Sequence, residues 1–177
     1  MLASIWLQPE PADAALLQGL VRSLAAEHGT PPFQPHLTVC NSLVDPSTWQ
    51  EAAADYVKNS ALPFVVRKAG ISSSAEIWSK SLIIDMVDDP ALRRFREDLQ
   101  RLTGAGRFYP PHISLLYALD GSSGRRLPSL DAARLREIAE DCAARLTIEE
   151  FHLARPVVVT ADGDWTNIRS WRVLRTL

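Results

Sequence analysis

Cysteine is nearly missing from this chain. Cys40 and Cys142 are its only two in 177 residues, and they form no CxxC pair. That argues against a disulfide framework or a cysteine zinc site, and each reads as a small buried thiol. An excess of one charge sign is missing too. With 19 basic against 21 acidic side chains and a formal charge of −2, no basic stripe is available to dominate affinity for a long phosphate backbone, so duplex nucleic acid is not an expected partner. Long apolar runs are also lacking. Met1-Leu2-Ala3-Ser4-Ile5-Trp6-Leu7 has no basic flank and is cut off by Pro9, which predicts neither a secretion signal nor a membrane span, and hence a cytoplasmic address. There is no low-complexity tail.

What is present is a repeat. Pro35-His36-Leu37-Thr38-Val39 recurs as Pro111-His112-Ile113-Ser114-Leu115, preceded by Phe33-Gln34 in one case and Phe108-Tyr109-Pro110 in the other. On a strand, residues two apart share a face, so each phrase presents an imidazole and a hydroxyl together while an aliphatic residue faces the core. A hydrophobic content of 46% over this length supports one core, and the chain reads as a single domain over residues 1–177, acting as a monomer.

The surroundings of the phrases repeat as well. A strand at 4–7 is followed by helical spacing over 12–27, Gly29, a proline pair and the first histidine strand. Asp45-Pro46 opens a helix to about Lys58, and 62–71 reads as a strand. The second pass has a strand at 81–86, a helix from Asp89-Pro90 through Leu102 stopped by Gly104 and Gly106, and a histidine strand from 112 to 119. A helix at 130–143 and a strand at 145–155, with 148–160 as the longer strand candidate there, complete it. His36 and His112 are 76 residues apart, and Ser4 and Ser81 are 77 apart, so a duplicated unit fits with almost no slippage. Ala161-Asp162-Gly163-Asp164 is a turn before a last strand at 165–174. The expectation is an α+β fold of two pseudo-symmetric lobes, each a largely antiparallel sheet with outer helices, and a cleft between them onto which both histidine strands face.

Two imidazoles with ordinary pKa values of about 6.5 can divide acid and base work at neutral pH. Thr38 and Ser114 can donate hydrogen bonds to phosphate oxygens as charge develops on them. Together they predict metal-free displacement at phosphorus with no cofactor. Neither phrase carries the further histidine, cysteine or carboxylate that a metal centre needs, and no GxSxG turn supports a serine nucleophile. The bare pattern alone is weak: His28-Gly29-Thr30 matches it too, at a helix end where an exposed cap residue is expected. His152 reads as a structural sheet residue. Cys40 shares the face of His36 and Thr38 by period two, which would put it in the cleft. Trp78 and Lys80 begin the second unit, where a ring for a base or a cation near phosphate would be useful, although a core tryptophan and an exposed lysine are the plainer readings.

His36-Leu37-Thr38 and His112-Ile113-Ser114 in two halves of a chain this size resemble the two-histidine (2H) phosphoesterase superfamily. Within it, Ile5-Trp6-Leu7-Gln8-Pro9, Phe33-Gln34-Pro35-His36-Leu37-Thr38-Val39 and Pro111-His112-Ile113-Ser114-Leu115-Leu116-Tyr117 are most similar to the yeast- and plant-type cyclic phosphodiesterases. The resemblance implies hydrolysis of ADP-ribose 1″,2″-cyclic phosphate or of nucleoside 2′,3′-cyclic phosphates to 2′-phosphates. It implies His36 as general acid, His112 as general base, and Thr38 and Ser114 as phosphate-holding residues. Tyr117 matches a tyrosine near the site in the plant-type motif, yet alternation from His112 puts it on the opposite face, so a bulge or strand end has to turn it inward; a core tyrosine is the other reading. The plant enzymes' redox-linked cysteine pair has no counterpart. Bacterial relatives named for RNA 2′–5′ ligation usually carry an arginine after the second motif, where this chain has Leu116-Tyr117. An RNA-end cyclic phosphodiesterase or 2′–5′ RNA ligase-like enzyme remains the alternative, and a non-catalytic module binding a nucleotide or RNA end is the alternative of another class.

Overall fold

The computed structural model describes residues 2–105, 109–162 and 164–177; Met1, Gly106, Phe108 and Gly163, used in the readings above, lie outside the described residues. Strand β1 (Leu2–Pro9) alternates a core set, Ala3, Ile5 and Leu7, with Ser4, Trp6 and Gln8 on the other face. Pro9 ends it, and Pro11 starts helix α1 (Pro11–His28), which stops where Gly29 takes up the left-handed conformation at φ 69°. Strand β2 (Leu37–Val44) follows. The helix expected from Asp45 is split: a 3-10 turn over Pro46–Thr48 precedes α2 (Gln50–Lys58), because Trp49 turns into the core with non-helical φ −129° between them.

Strands β3 (Phe64–Ser73) and β4 (Leu82–Met86) form a hairpin around a 3-10 turn at Trp78–Lys80. Helix α3 (Pro90–Thr103) is capped by the Asp89 carboxylate, which accepts from the Ala91 and Leu92 N–H groups, and ends at left-handed Gly104. Strand β5 (His112–Leu116), helix α4 (Ala132–Arg145), strand β6 (Glu150–Thr160) and strand β7 (Arg172–Thr176) complete the chain. The last strand starts later than expected, because Trp165 to Trp171 forms a turn and a 3-10 helix closed by the Trp171 indole N–H on the Trp165 carbonyl at 3.0 Å.

The unit β1-α1-β2-α2-β3 is repeated as β4-α3-β5-α4-β6, giving the expected α+β architecture of two pseudo-symmetric halves. The two sheets are joined. Their strand order, β1-β2-β5-β4-β3-β6-β7 with β1 also paired to β6, closes a ring of antiparallel strands. Strand β6 makes this possible by its length: residues 150–153 pair with β3, residues 153–160 with β1, and 157–160 also with β7. Pro156 falls where the neighbour on one side changes from β3 to β7, so the ladder loses no donor there. At the opposite point of the ring, β2 and β5 touch through one pair, Leu37 with Ile113. Helices exchange halves: α1 packs against β5, and α3 against β2. Fully buried Leu7, Leu17, Val21, Leu37, Leu92, Leu99 and Ile113 form the core between them. No helix among the described residues is long and apolar enough to cross a membrane.

Candidate active site

The Leu37–Ile113 pair is the pivot of the site. Both side chains are buried in the core, so by alternation their flanking residues face the other way. The antiparallel sense carries the register one residue further on each side, which sets His36 across from Ser114 and Thr38 across from His112. Two imidazoles and two hydroxyls thus share one face in a two-fold arrangement.

The rings are fixed alike. The Nδ1–H of His36 donates to the Gln34 carbonyl at 2.7 Å, and the Nδ1–H of His112 donates to the Pro110 carbonyl at 2.8 Å. A carbonyl only accepts, so each neutral ring carries its proton on Nδ1 and leaves Nε2 bare as a base.

The environments differ. Trp6, the β1 partner of Thr38, stacks on His36 with centroids 3.5 Å apart and planes within 7°. Trp171 and Phe33 add edges at 6.0 and 6.5 Å. His36 is 5% exposed. Burial lowers its pKa to about 4, with the Gln34 carbonyl opposing that and nearby His112 adding to it. His112 is half-buried, more open to solvent than His36. Burial lowers its pKa as well; the Pro110 carbonyl opposes, Lys80 lowers it further, its β4 partner Asp85 raises it, and Arg96 lowers it.

The Ser114 hydroxyl donates to the Ser79 carbonyl at 3.1 Å. The Thr38 hydroxyl makes no hydrogen bond among the described residues, so it is available to a ligand. Tyr117 lies one residue beyond the end of β5, where the Ala118 N–H bonds to the Ser81 hydroxyl at 3.0 Å and the chain leaves the sheet. That strand end turns the Tyr117 ring into a cluster with Phe33, Trp78 and Trp171, at 4.1, 5.4 and 5.6 Å. Burial pushes its phenol pKa up, and a hydrogen bond with Ser114 opposes that.

Two expectations change. Cys40 does not line the cleft: Trp6 pairs with Thr38 but Ile5 pairs with Cys40, so Val39 bulges and Cys40 turns to the core face, beside Thr103 of α3. Burial pushes its thiol up to about 12. His28 ends α1 as expected, yet its side chain is only 7% exposed rather than an exposed cap. Trp78 is half-buried with its ring edge on Tyr117, while Lys80 lies 5.9 Å over the Tyr109 ring and within electrostatic reach of His112. His152 is structural: Asp13 of α1 accepts from both its backbone N–H, at 2.6 Å, and its ring.

The sequence readings did not find Asp85, the two carbonyls that hold the imidazoles, or Trp171. The carbonyls were findable, because Gln34 and Pro110 stand two residues before each histidine. Trp171 was not, since no periodicity links it to residue 36. Among the described residues, no three histidine, cysteine or acidic side chains group as a metal site would need.

The chain matches no protein-family model and no curated protein sequence. Among solved structures it is similar to E. coli LigT complexed with phosphate, with 14% identity over 99% of this chain and 95% of that one and a TM-score of 0.52. It is also similar to Usb1 from Kluyveromyces marxianus, with 13% identity over 89% of this chain and 92% of that one and a TM-score of 0.46. The likeness to LigT spans the whole length and shows a shared fold.

Proposed function

We propose that this chain, which has the two-histidine phosphoesterase fold, is a phosphodiesterase that opens a cyclic phosphate on a ribose without a metal ion. The carrying observation is the two-fold set of His36, Thr38, His112 and Ser114 about the Leu37–Ile113 pair, with both Nδ1 protons held by backbone carbonyls. The phosphate found with LigT is the group this reading places between the histidines.

One histidine takes a proton from water as that water's oxygen bonds to phosphorus. The bond from phosphorus to the leaving ribose oxygen breaks, and the other histidine gives that oxygen its proton. For a nucleoside 2′,3′-cyclic phosphate, loss of the 3′ oxygen yields the 2′-phosphate. The unequal burial of the imidazoles favours His36, the more deeply buried, as the base, and His112, half-buried and beside Asp85, which favours its protonated form, as the acid. This order is the reverse of the one the resemblance implies. Thr38 donates to a non-bridging oxygen, Ser114 does the same once its hydroxyl turns from the Ser79 carbonyl to the phosphate, and Tyr117 supports Ser114. Substrates of this class include nucleoside 2′,3′-cyclic phosphates, RNA ends bearing them and ADP-ribose 1″,2″-cyclic phosphate.

Purified protein in excess chelator, given each of these compounds, tests the reading. Turnover of at least one, lost in His36→Ala and in His112→Ala, is expected. A folded protein silent on all of them would overturn it.

A further inference from the structure

A groove of about 590 Å³ begins one residue from His36. Leu7 pairs with Leu37, so the next step of the register brings Gln8 of β1 beside His36 on the same sheet face. Gln8 in turn pairs with Arg155 of β6. Arg155 therefore stands two strand spacings, about 10 Å, from His36 along that face. Gln34, whose carbonyl holds the His36 ring, forms part of the wall, and Gln18 and Arg22 of α1 form the opposite side.

Pro9, Pro11, Ala14, Ala15, Pro35 and Ala154 make much of the groove's wall apolar, and its polar side chains other than Glu10 are donors. The Gln8 amide donates to the Gln34 side-chain oxygen at 2.9 Å, and that of Gln18 donates to the Phe33 carbonyl at 2.9 Å. These bonds hold the wall, while the Gln34 amide N–H groups make no hydrogen bond among the described residues. Arg22 and Arg155 are exposed and have no ion-pair partner among the described residues; Glu10 at the β1–α1 junction is the single acidic lining group. Two guanidinium groups and a free amide on a groove whose wall is otherwise largely apolar match an anion with several acceptor oxygens.

We propose that this groove is a second phosphate site, which holds the phosphate on the 5′ oxygen of the ribose whose cyclic phosphate lies at the histidines; this rests on the function proposed above. The preferred substrates are then 5′-phosphorylated, whether through the internucleotide phosphate of an RNA end or the pyrophosphate of an ADP-ribose. The balanced net charge is no obstacle, because two local arginines read one phosphate without a basic stripe.

The test compares kcat/KM for a nucleoside 2′,3′-cyclic phosphate with no 5′ group, a dinucleotide ending in the same cyclic phosphate, and ADP-ribose 1″,2″-cyclic phosphate. A gain of at least tenfold with either 5′-phosphorylated compound, the equivalent of one charge-assisted hydrogen bond, supports the site and identifies which source it serves. In Arg22→Ala/Arg155→Ala that gain should fall to about one, and Arg155→Lys should keep part of it. No gain in the wild type, or a gain that survives in the double variant, overturns the second site. Titration with a nucleoside 5′-monophosphate, followed by NMR at the Gln8 and Gln34 side-chain amides, decides it independently of turnover: these signals should move in the wild type and not in the double variant, and amides that stay still overturn it. If no cyclic phosphate is hydrolysed while the amides move, the chemistry at the histidines fails and the phosphate site stands.

Discussion

Replacing His36 with asparagine should make the protein's stability less sensitive to acid. The ring is buried, stacked on Trp6 and held neutral, with its pKa lowered to about 4, whereas in the unfolded chain it returns to about 6.5. Between those values the unfolded chain binds a proton that the folded one does not. Stability is therefore complete above pH 6.5 and falls as pH drops toward 4. The whole span amounts to about 3 kcal/mol, of which roughly 2 kcal/mol falls between pH 7 and pH 5. Asparagine keeps a donor where Nδ1–H meets the Gln34 carbonyl and cannot titrate. His28 and His112 are lowered too and steepen the dependence in both proteins, so the difference between wild type and variant is the quantity to read. Urea unfolding of each at pH 7 and pH 5 measures it. Wild type should lose roughly 2 kcal/mol more than His36→Asn. Equal losses to within about 0.5 kcal/mol, the usual error of such differences, would refute the buried, neutral imidazole and with it the assignment of His36 as base.

Thr38→Val should lower kcat/KM about 10²-fold with little change in unfolding midpoint, since its hydroxyl is unbonded in the free protein; unchanged kinetics would remove it from the phosphate site. Trp6→Ala should let the His36 imidazole titrate closer to 6.5 in NMR, with Trp6→Phe restoring the low value, whereas an unmoved resonance would mean that the stacked indole does not desolvate the ring. Cys40, buried under α3 with its pKa pushed up to about 12, should resist thiol reagents until the protein unfolds; rapid labelling of the native state would contradict the bulge at Val39.

Much of this architecture was legible in the residues. The offset of 76 between the histidine phrases becomes a two-fold relation about Leu37 and Ile113, because a duplicated unit that buries its aliphatic residue twice projects its imidazole twice. Helix ends at Pro11, Gly29, Asp89 and Gly104 follow from local chemistry. The position of Cys40 was not legible, because Val39 and Cys40 are both apolar and either parity would satisfy the core. The joining of the two sheets depends on how far β6 extends, and a run of Val157, Val158 and Val159 reads equally well as a strand in one sheet or in both. Trp171 reaches His36 only because the 165–171 segment folds back over β6, a tertiary contact with no local signature.

The most direct test is a double-mutant cycle on cyclic-phosphate hydrolysis in chelator. His36→Ala and His112→Ala should each cost about 10²–10⁴-fold in kcat/KM. The double variant should be little worse than the poorer single one, because an acid and a base that act in one step fail together. Losses that multiply, or activity that survives either change, would contradict a shared proton-transfer step at one phosphate.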